Sequence, residues 1–133
     1  MKDYQVAVII PTLNEERFIE CCLNSVMQQT YPFENMDVMI VDGGSTDGTQ
    51  EKVNQISKKY PNVRLIHNPG KIQSIAFNIG VRESTAPFIV RLDAHAIYDN
   101  VYIERCLQTF SANIESLGCS SEVIGNVGGV WII

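Results

Sequence analysis

Val6-Ala7-Val8-Ile9-Ile10-Pro11-Thr12-Leu13-Asn14-Glu15-Glu16 sets the pattern of the whole chain: an apolar run, a proline, a short polar cluster, then residues at helical spacing. An unbroken apolar run of this length reads as a strand covered on both faces. Pro11 lacks the N–H that a ladder needs and is expected to terminate the strand. Asn14 stands where it can cap a helix whose first turn carries Glu15 and Glu16. Phe18, Ile19, Cys22, Leu23, Val26 and Met27 then form one apolar face. The helix should end near Gln29 and Thr30, because Tyr31 precedes Pro32 and is pushed out of helical geometry.

The same alternation recurs along the chain. Val38 to Val41 is a second strand that runs into Asp42-Gly43-Gly44-Ser45-Thr46-Asp47-Gly48, where the glycines permit a tight turn. Asp47 can cap the next helix with Gln50 three residues on, and Val53 and Ile56 supply its inner face. Val63 to His67 is the third strand. After Asn68-Pro69-Gly70 a helix places Ile72, Ile75, Ala76 and Ile79 on one side. Pro87 to Leu92 is the fourth strand, and a helix starting around Asp99 or Asn100 packs Tyr102, Cys106, Leu107 and Phe110. A last apolar run, Val127 to Ile133, needs a neighbour to cover it. Strands alternating with helices give an α/β, Rossmann-like fold with a parallel sheet flanked by helices. No linker or repeat divides the 133 residues, so residues 1–133 are expected to form one unit.

The charge balance is acidic, with 10 Lys and Arg against 15 Asp and Glu for a net −5. Such a chain lacks the basic field that nucleic acid binding requires, and an anionic ligand must be held locally or through a metal. No apolar run approaches the roughly 18 residues that span a bilayer, and the first residues do not read as a signal peptide, so a cytoplasmic location is expected. Cys21, Cys22, Cys106 and Cys119 form no CxxC pair, which favours structural thiols over a disulfide framework or a zinc site.

In an open parallel sheet, ligands gather beyond the carboxyl ends of the strands. Three polar clusters fall there: Pro11 to Glu15, Asp42 to Asp47, and Asp93-Ala94-His95. Asp93 and His95, two apart on an extended segment, can face one point. A carboxylate oxygen with an imidazole nitrogen suits Mn²⁺, Mg²⁺ or another divalent ion with open positions for a diphosphate. The plainer alternative is a turn-forming Asp93 and a surface His95. Asp42 can accept hydrogen bonds from a nucleobase imide or ribose hydroxyls, or serve as a turn former. Ser45, Thr46 and Asp47 read first as helix capping, an ambiguity that Thr12 and Asn14 share. Lys71 and Gln73 open the third helix, where an anion can meet free N–H groups and an ammonium, or where the lysine is simply solvated.

With these clusters in view, the sequence resembles the family 2 glycosyltransferases, inverting enzymes of the GT-A fold. The resemblance is carried by Val8-Ile9-Ile10-Pro11-Thr12-Leu13-Asn14-Glu15-Glu16, Ile40-Val41-Asp42-Gly43-Gly44-Ser45-Thr46-Asp47-Gly48-Thr49, Phe77-Asn78-Ile79-Gly80 and Arg91-Leu92-Asp93-Ala94-His95, in that order. It implies that Pro11, Thr12, Asn14 and Glu15 line a nucleotide pocket, that Asp42 contacts base or ribose, and that Asp93 faces ribose and metal. The family usually writes DxD where this chain has Asp93 and His95; succinoglycan-type exopolysaccharide glucosyltransferases are similar here, with a DAH of their own. The implied donor is a UDP-sugar, and the implied acceptor is a saccharide or lipid-linked saccharide in polysaccharide or cell-surface glycan synthesis.

In this family the acceptor half and the aspartate that deprotonates the acceptor follow the metal element. The chain is therefore expected to be the donor-binding portion, truncated on the C-terminal side, with no residue assigned as base and with little activity alone. Asp99 and Glu104 read as cap and solvated face. Peripheral membrane association of a longer protein, and pairing of copies through the apolar end near Trp131, are further expectations. Rival readings are a non-catalytic relic that associates with another chain, and a receiver-type signalling module. The receiver reading lacks the acidic pair after the first strand, and a dinucleotide dehydrogenase lacks GxGxxG.

Overall fold

The computed structural model describes residues 3–112, 118–123 and 126–132, with side chains as far as residue 109. The Phe110, Cys119 and Trp131 side chains and Ile133 lie outside the described residues. The elements are β1 (Val6–Thr12), α1 (Ile19–Met27), a 3-10 turn (Phe33–Asn35), β2 (Met36–Asp42), α2 (Thr49–Lys59), β3 (Val63–His67), α3 (Gln73–Glu83), β4 (Phe88–Arg91), α4 (Tyr102–Ala112), β5 (Gly118–Val123) and β6 (Asn126–Ile132). They form one sheet in the order β3-β2-β1-β4-β6-β5. The first four strands run parallel, while β6 is antiparallel to both β4 and β5. The final apolar run is paired on both sides, with Trp131 opposite Ile89 and Gly118.

Both faces of β1 are covered, which is why its sequence is apolar without alternation. Val6, Val8 and Ile10 pack with Ile19, Cys22, Leu23 and Val26 of α1, Val53 of α2, and Ile103 and Cys106 of α4. On the other face Ala7, Ile9, Met39 and Val41 meet Ala76 of α3. A Cβ added to Gly80 would stand 2.6 Å from Ile9 Cδ1, so α3 lies against the sheet at a distance only glycine permits. β2 and β4 leave β1 on opposite sides, so a crevice opens at the carboxyl ends of β1 and β4, the place where such sheets bind ligands.

Three local expectations need correction. β1 continues through Pro11, which pairs in register with Val41. Ile9, of the same parity, accepts the Leu92 N–H on the β4 side, and the β1–β4 register ends at Ile9 with Arg91. The next bond of that ladder would need the N–H of residue 11, so Pro11 ends the pairing with β4 while β1 continues along β2. Asn14 does not cap α1, which begins only at Ile19 after a turn closed on the Glu15 carbonyl. Ile72 and Ile75 do not face inward as expected; they are 59% and 37% exposed, and α3 buries Ala76 and Gly80 instead.

Candidate nucleotide-binding site

The loops after β1 and β2 are stitched together. The Gly43 N–H donates to the Thr12 carbonyl at 2.9 Å, and the Glu15 N–H donates to Thr49 Oγ1 at 2.9 Å. The Asn14 N–H reaches Ser45 Oγ at 2.8 Å, while Asn14 Oδ1 accepts the Thr46 N–H at 2.8 Å. Asn14 does this in the left-handed region, φ 53°, which asparagine tolerates better than most residues. Asp47 bridges both ways, accepting the Thr49 N–H at the start of α2 and the Glu16 N–H of the first loop. These bonds hold the Asp47 carboxyl below the ordinary carboxylate range, the Thr49 hydroxyl first among the causes.

Asp42 is the centre of this network. Its Oδ1 accepts the hydroxyls of Thr12 and Ser45, and its Oδ2 accepts the N–H groups of Gly44 and Ser45 and the amide of Gln50 at 2.7 Å. Burial alone would raise the carboxyl, but the hydrogen bonds from Ser45, Gln50 and Thr12 outweigh it and hold it low. The residue is 1% exposed. Expected at the base or ribose, this carboxylate is occupied within the chain and builds the loop. Gly44, at φ 94°, takes the backbone through the turn that aims two of these donors at one oxygen. Gln50, expected to close a capping box with Asp47, goes to Asp42 instead.

Beside the stitched loops lies a pocket of about 190 Å³, lined by Pro11, Thr12, Leu13, Glu15, Asn68, Lys71, Ile72, Gln73 and Ala76. The structure thus gathers Pro11, Thr12, Glu15, Lys71 and Gln73 at one opening, while Asn14 and Asp42 stand behind it as supports. Lys71 also adopts a left-handed backbone, φ 62°, just ahead of α3. The volume is below the roughly 300–1,000 Å³ of complete ligand pockets, enough for one moiety of an extended ligand.

The remainder of such a ligand can cross toward Asp93 and His95. Arg91 connects the two parts, donating to Gln73 Oε1 at 3.0 Å and pairing with Asp93 Oδ1 at 3.3 Å. His95, 44% exposed at its side chain, places Nδ1 at 3.3 Å from Glu15 Oε1, which turns Nε2 away from that carboxylate. Carboxylate and imidazole donors fit a divalent ion of intermediate hardness. Among the described residues no set of three or more His, Cys, Asp or Glu stands close enough to hold a metal ion. Arg91, Asn68 and Ile72 were given no role from sequence; Arg91 stands two residues before Asp93 on the strand, a same-side spacing that marks it.

Residues 7–131 match the profile of the family described as Glycosyl transferase family 2. The chain belongs to glycosyltransferase family 2. This family 2 chain is 31% identical over 127 residues to a Methanococcus voltae dolichyl N-acetyl-α-D-glucosaminyl phosphate 3-β-D-2,3-diacetamido-2,3-dideoxy-β-D-glucuronosyltransferase, covering 94% of the chain and 38% of that protein. It is 35% identical over 121 residues to the succinoglycan biosynthesis protein ExoA of Rhizobium meliloti, covering 89% of the chain and 36% of that protein. The mannosyltransferase PcManGT of Pyrobaculum calidifontis, solved with GDP-Man and Mn²⁺, superposes with a TM-score of 0.74 at 28% identity over 84% of this chain and 33% of its own. TarS of Staphylococcus aureus shares the fold, with a TM-score of 0.73 at 22% identity over 86% of this chain and 33% of the TarS chain. The fold is that of the GT-A glycosyltransferases. The chain spans less than two fifths of the length of these relatives.

Proposed function

We propose that this chain is the donor-binding portion of an inverting glycosyltransferase that passes a sugar from a UDP-sugar to a saccharide or lipid-linked acceptor. The observation that carries the reading is the bridge from Gln73 through Arg91 to Asp93, which joins the pocket to the carboxylate of Asp93. The pocket walls, Thr12, Asn68 and Lys71, receive the nucleoside. The diphosphate lies toward Asp93 and His95, which would hold Mn²⁺ or Mg²⁺, a reading supported by Mn²⁺ in the mannosyltransferase neighbour. The ion supplies Lewis-acid neutralisation of the departing diphosphate.

The chain's own residues fix the geometry. The bonds between the two loops fix the pocket walls, which limits the reorganisation that binding costs. Arg91 keeps the Asp93 carboxylate paired until a cationic partner draws it away, and Glu15 orients His95 from the opposite side. Neither Asp99 nor Glu104 serves as base in this arrangement. Asp99 Oδ1 accepts the Val101 N–H and Glu104 accepts the Thr30 hydroxyl, in line with structural roles.

Titration calorimetry with UDP, GDP and Mn²⁺ tests this. UDP should bind in the presence of Mn²⁺ more tightly than GDP, and Asp93→Ala should weaken binding by more than about tenfold. No heat at millimolar nucleotide, or an Asp93→Ala variant equal to wild type, overturns the proposal.

A further inference from the structure

Asp93 is the first residue beyond the bonded part of the sheet that carries chemistry. The Leu92 N–H still reaches the Ile9 carbonyl at 3.0 Å, but past it β1 and β4 separate. The Asp93 backbone is nevertheless buried, with the residue 6% exposed. Its N–H donates to the Tyr98 hydroxyl at 2.8 Å, and its carbonyl accepts the Cys22 thiol at 3.5 Å and the Ala96 N–H at 3.2 Å. A phenol and a thiol therefore take the place of the missing strand.

Both groups are anchored to α1. The Tyr98 N–H donates to Ser25 Oγ at 3.1 Å, and that hydroxyl donates to the Cys22 carbonyl at 2.7 Å. The Tyr98 ring rests 5.0 Å from that of Tyr102. One helical turn further on, Gln29 donates to the Asp99 carbonyl at 2.6 Å and accepts the Ile103 N–H at 3.0 Å. Cys22, Ser25 and Gln29 are spaced three and four apart, so one stripe holds the whole segment from Asp93 to Ile103. Burial first and the Asp93 charge second push the Cys22 thiol up to about 12, and burial raises the Tyr98 hydroxyl, so both remain protonated at neutral pH.

We propose that Tyr98 and Cys22 are positioning residues for Asp93: by holding the peptide groups on either side of its Cα, they fix the direction of its carboxylate toward metal and diphosphate. Aspartate has a single methylene between backbone and carboxylate, so the backbone decides where the oxygens stand. A displacement of about 1 Å at such a centre costs on the order of a hundredfold in function. The proposal rests on the donor-site reading above and adds to it residues that touch neither nucleotide nor metal.

The experiment compares UDP affinity with and without Mn²⁺ in wild type, Tyr98→Phe, Cys22→Ala and Cys22→Ser, and follows amide exchange at Asp93 by NMR. In Tyr98→Phe, which keeps the ring, metal-free UDP affinity should stay within about twofold while the gain on adding Mn²⁺ falls about tenfold. The Asp93 amide should lose protection in the same variant. Cys22→Ala should show a smaller loss of the Mn²⁺ gain, and Cys22→Ser, which keeps a donor, should restore it. An unchanged Mn²⁺ gain in Tyr98→Phe overturns the proposal, as does a proportional fall in metal-free and metal-dependent binding, which marks general loosening of the fold. If Tyr98→Phe does not fold, the Cys22 pair decides, and equal Mn²⁺ gains in its Ala and Ser variants overturn the proposal. Absence of any Mn²⁺ gain in wild type sinks the donor-site reading instead and is thereby distinguished.

Discussion

The loop after β1 is tied to the loop after β2 by bonds running from Thr12 to Glu16, whereas it meets the Asp93–His95 loop through one half-exposed pair, Glu15 with His95. The first junction is built from short, mostly neutral donors converging on the Asp42 and Asp47 carboxylates. The second is a single contact between two ionisable side chains at 3.3 Å. The pocket side of the site is therefore held by bonds within the chain. The diphosphate side holds Asp93 against Arg91 and His95 against Glu15, and is anchored from behind, through α1.

The largest effect should come from breaking the stitched junction at its centre. Asp42→Ala leaves buried hydroxyl and N–H donors without an acceptor and should destabilise the chain by about 3 kcal/mol in urea unfolding, with nucleotide binding lost whether or not metal is present. If binding is lost only with metal present, the two regions are not separate. Asn14→Ala removes the Thr46 acceptor and places alanine in the left-handed region, for a loss of about 1.5 kcal/mol by the same measurement.

Acid should act on the stitched side. The Asp42 carboxyl titrates below its ordinary value, so its stabilisation is fully present above about pH 4 and is lost as pH falls through the lowered value. The stability gap between wild type and Asp42→Asn should stay constant from pH 5 to 8 and shrink below pH 4. The smallest effect is expected at the Glu15–His95 contact: Glu15→Ala should change stability by no more than about 0.5 kcal/mol, because a half-exposed contact between polar side chains contributes little. A loss beyond about 1 kcal/mol would show the two regions to be more tightly joined than the geometry indicates.

The buried parallel strands were legible because both faces demand apolar residues, and the placement of Thr12, Glu15, Lys71, Gln73, Asp93 and His95 at one sheet edge followed from topology. What sequence did not reveal depended on partners. Pro11 lies inside β1 because its missing N–H faces β4 and not β2, so the ladder with β2 runs on past it. Asn14 and Gln50 carry side chains with strong local uses, yet each goes to a distant loop that offers a better-placed partner. α3 begins at Gln73, after Lys71 in the left-handed region, and Ile72 stands exposed between them. β5, Gly118 to Val123, has no apolar run and exists by pairing with β6. Cys22 reads in the sequence only as part of the apolar face of α1, and the bonds that it, Ser25 and Gln29 make to the Asp93–Ile103 segment depend on a distant partner that periodicity does not show.

Cys21 and Cys22 are neighbours on α1, the first exposed and the second buried against Asp93. The molecule thus carries its own paired clock for breathing of that helix: an alkylating reagent marks Cys21 at once, and marks Cys22 only as often as α1 lifts from the loop it suspends.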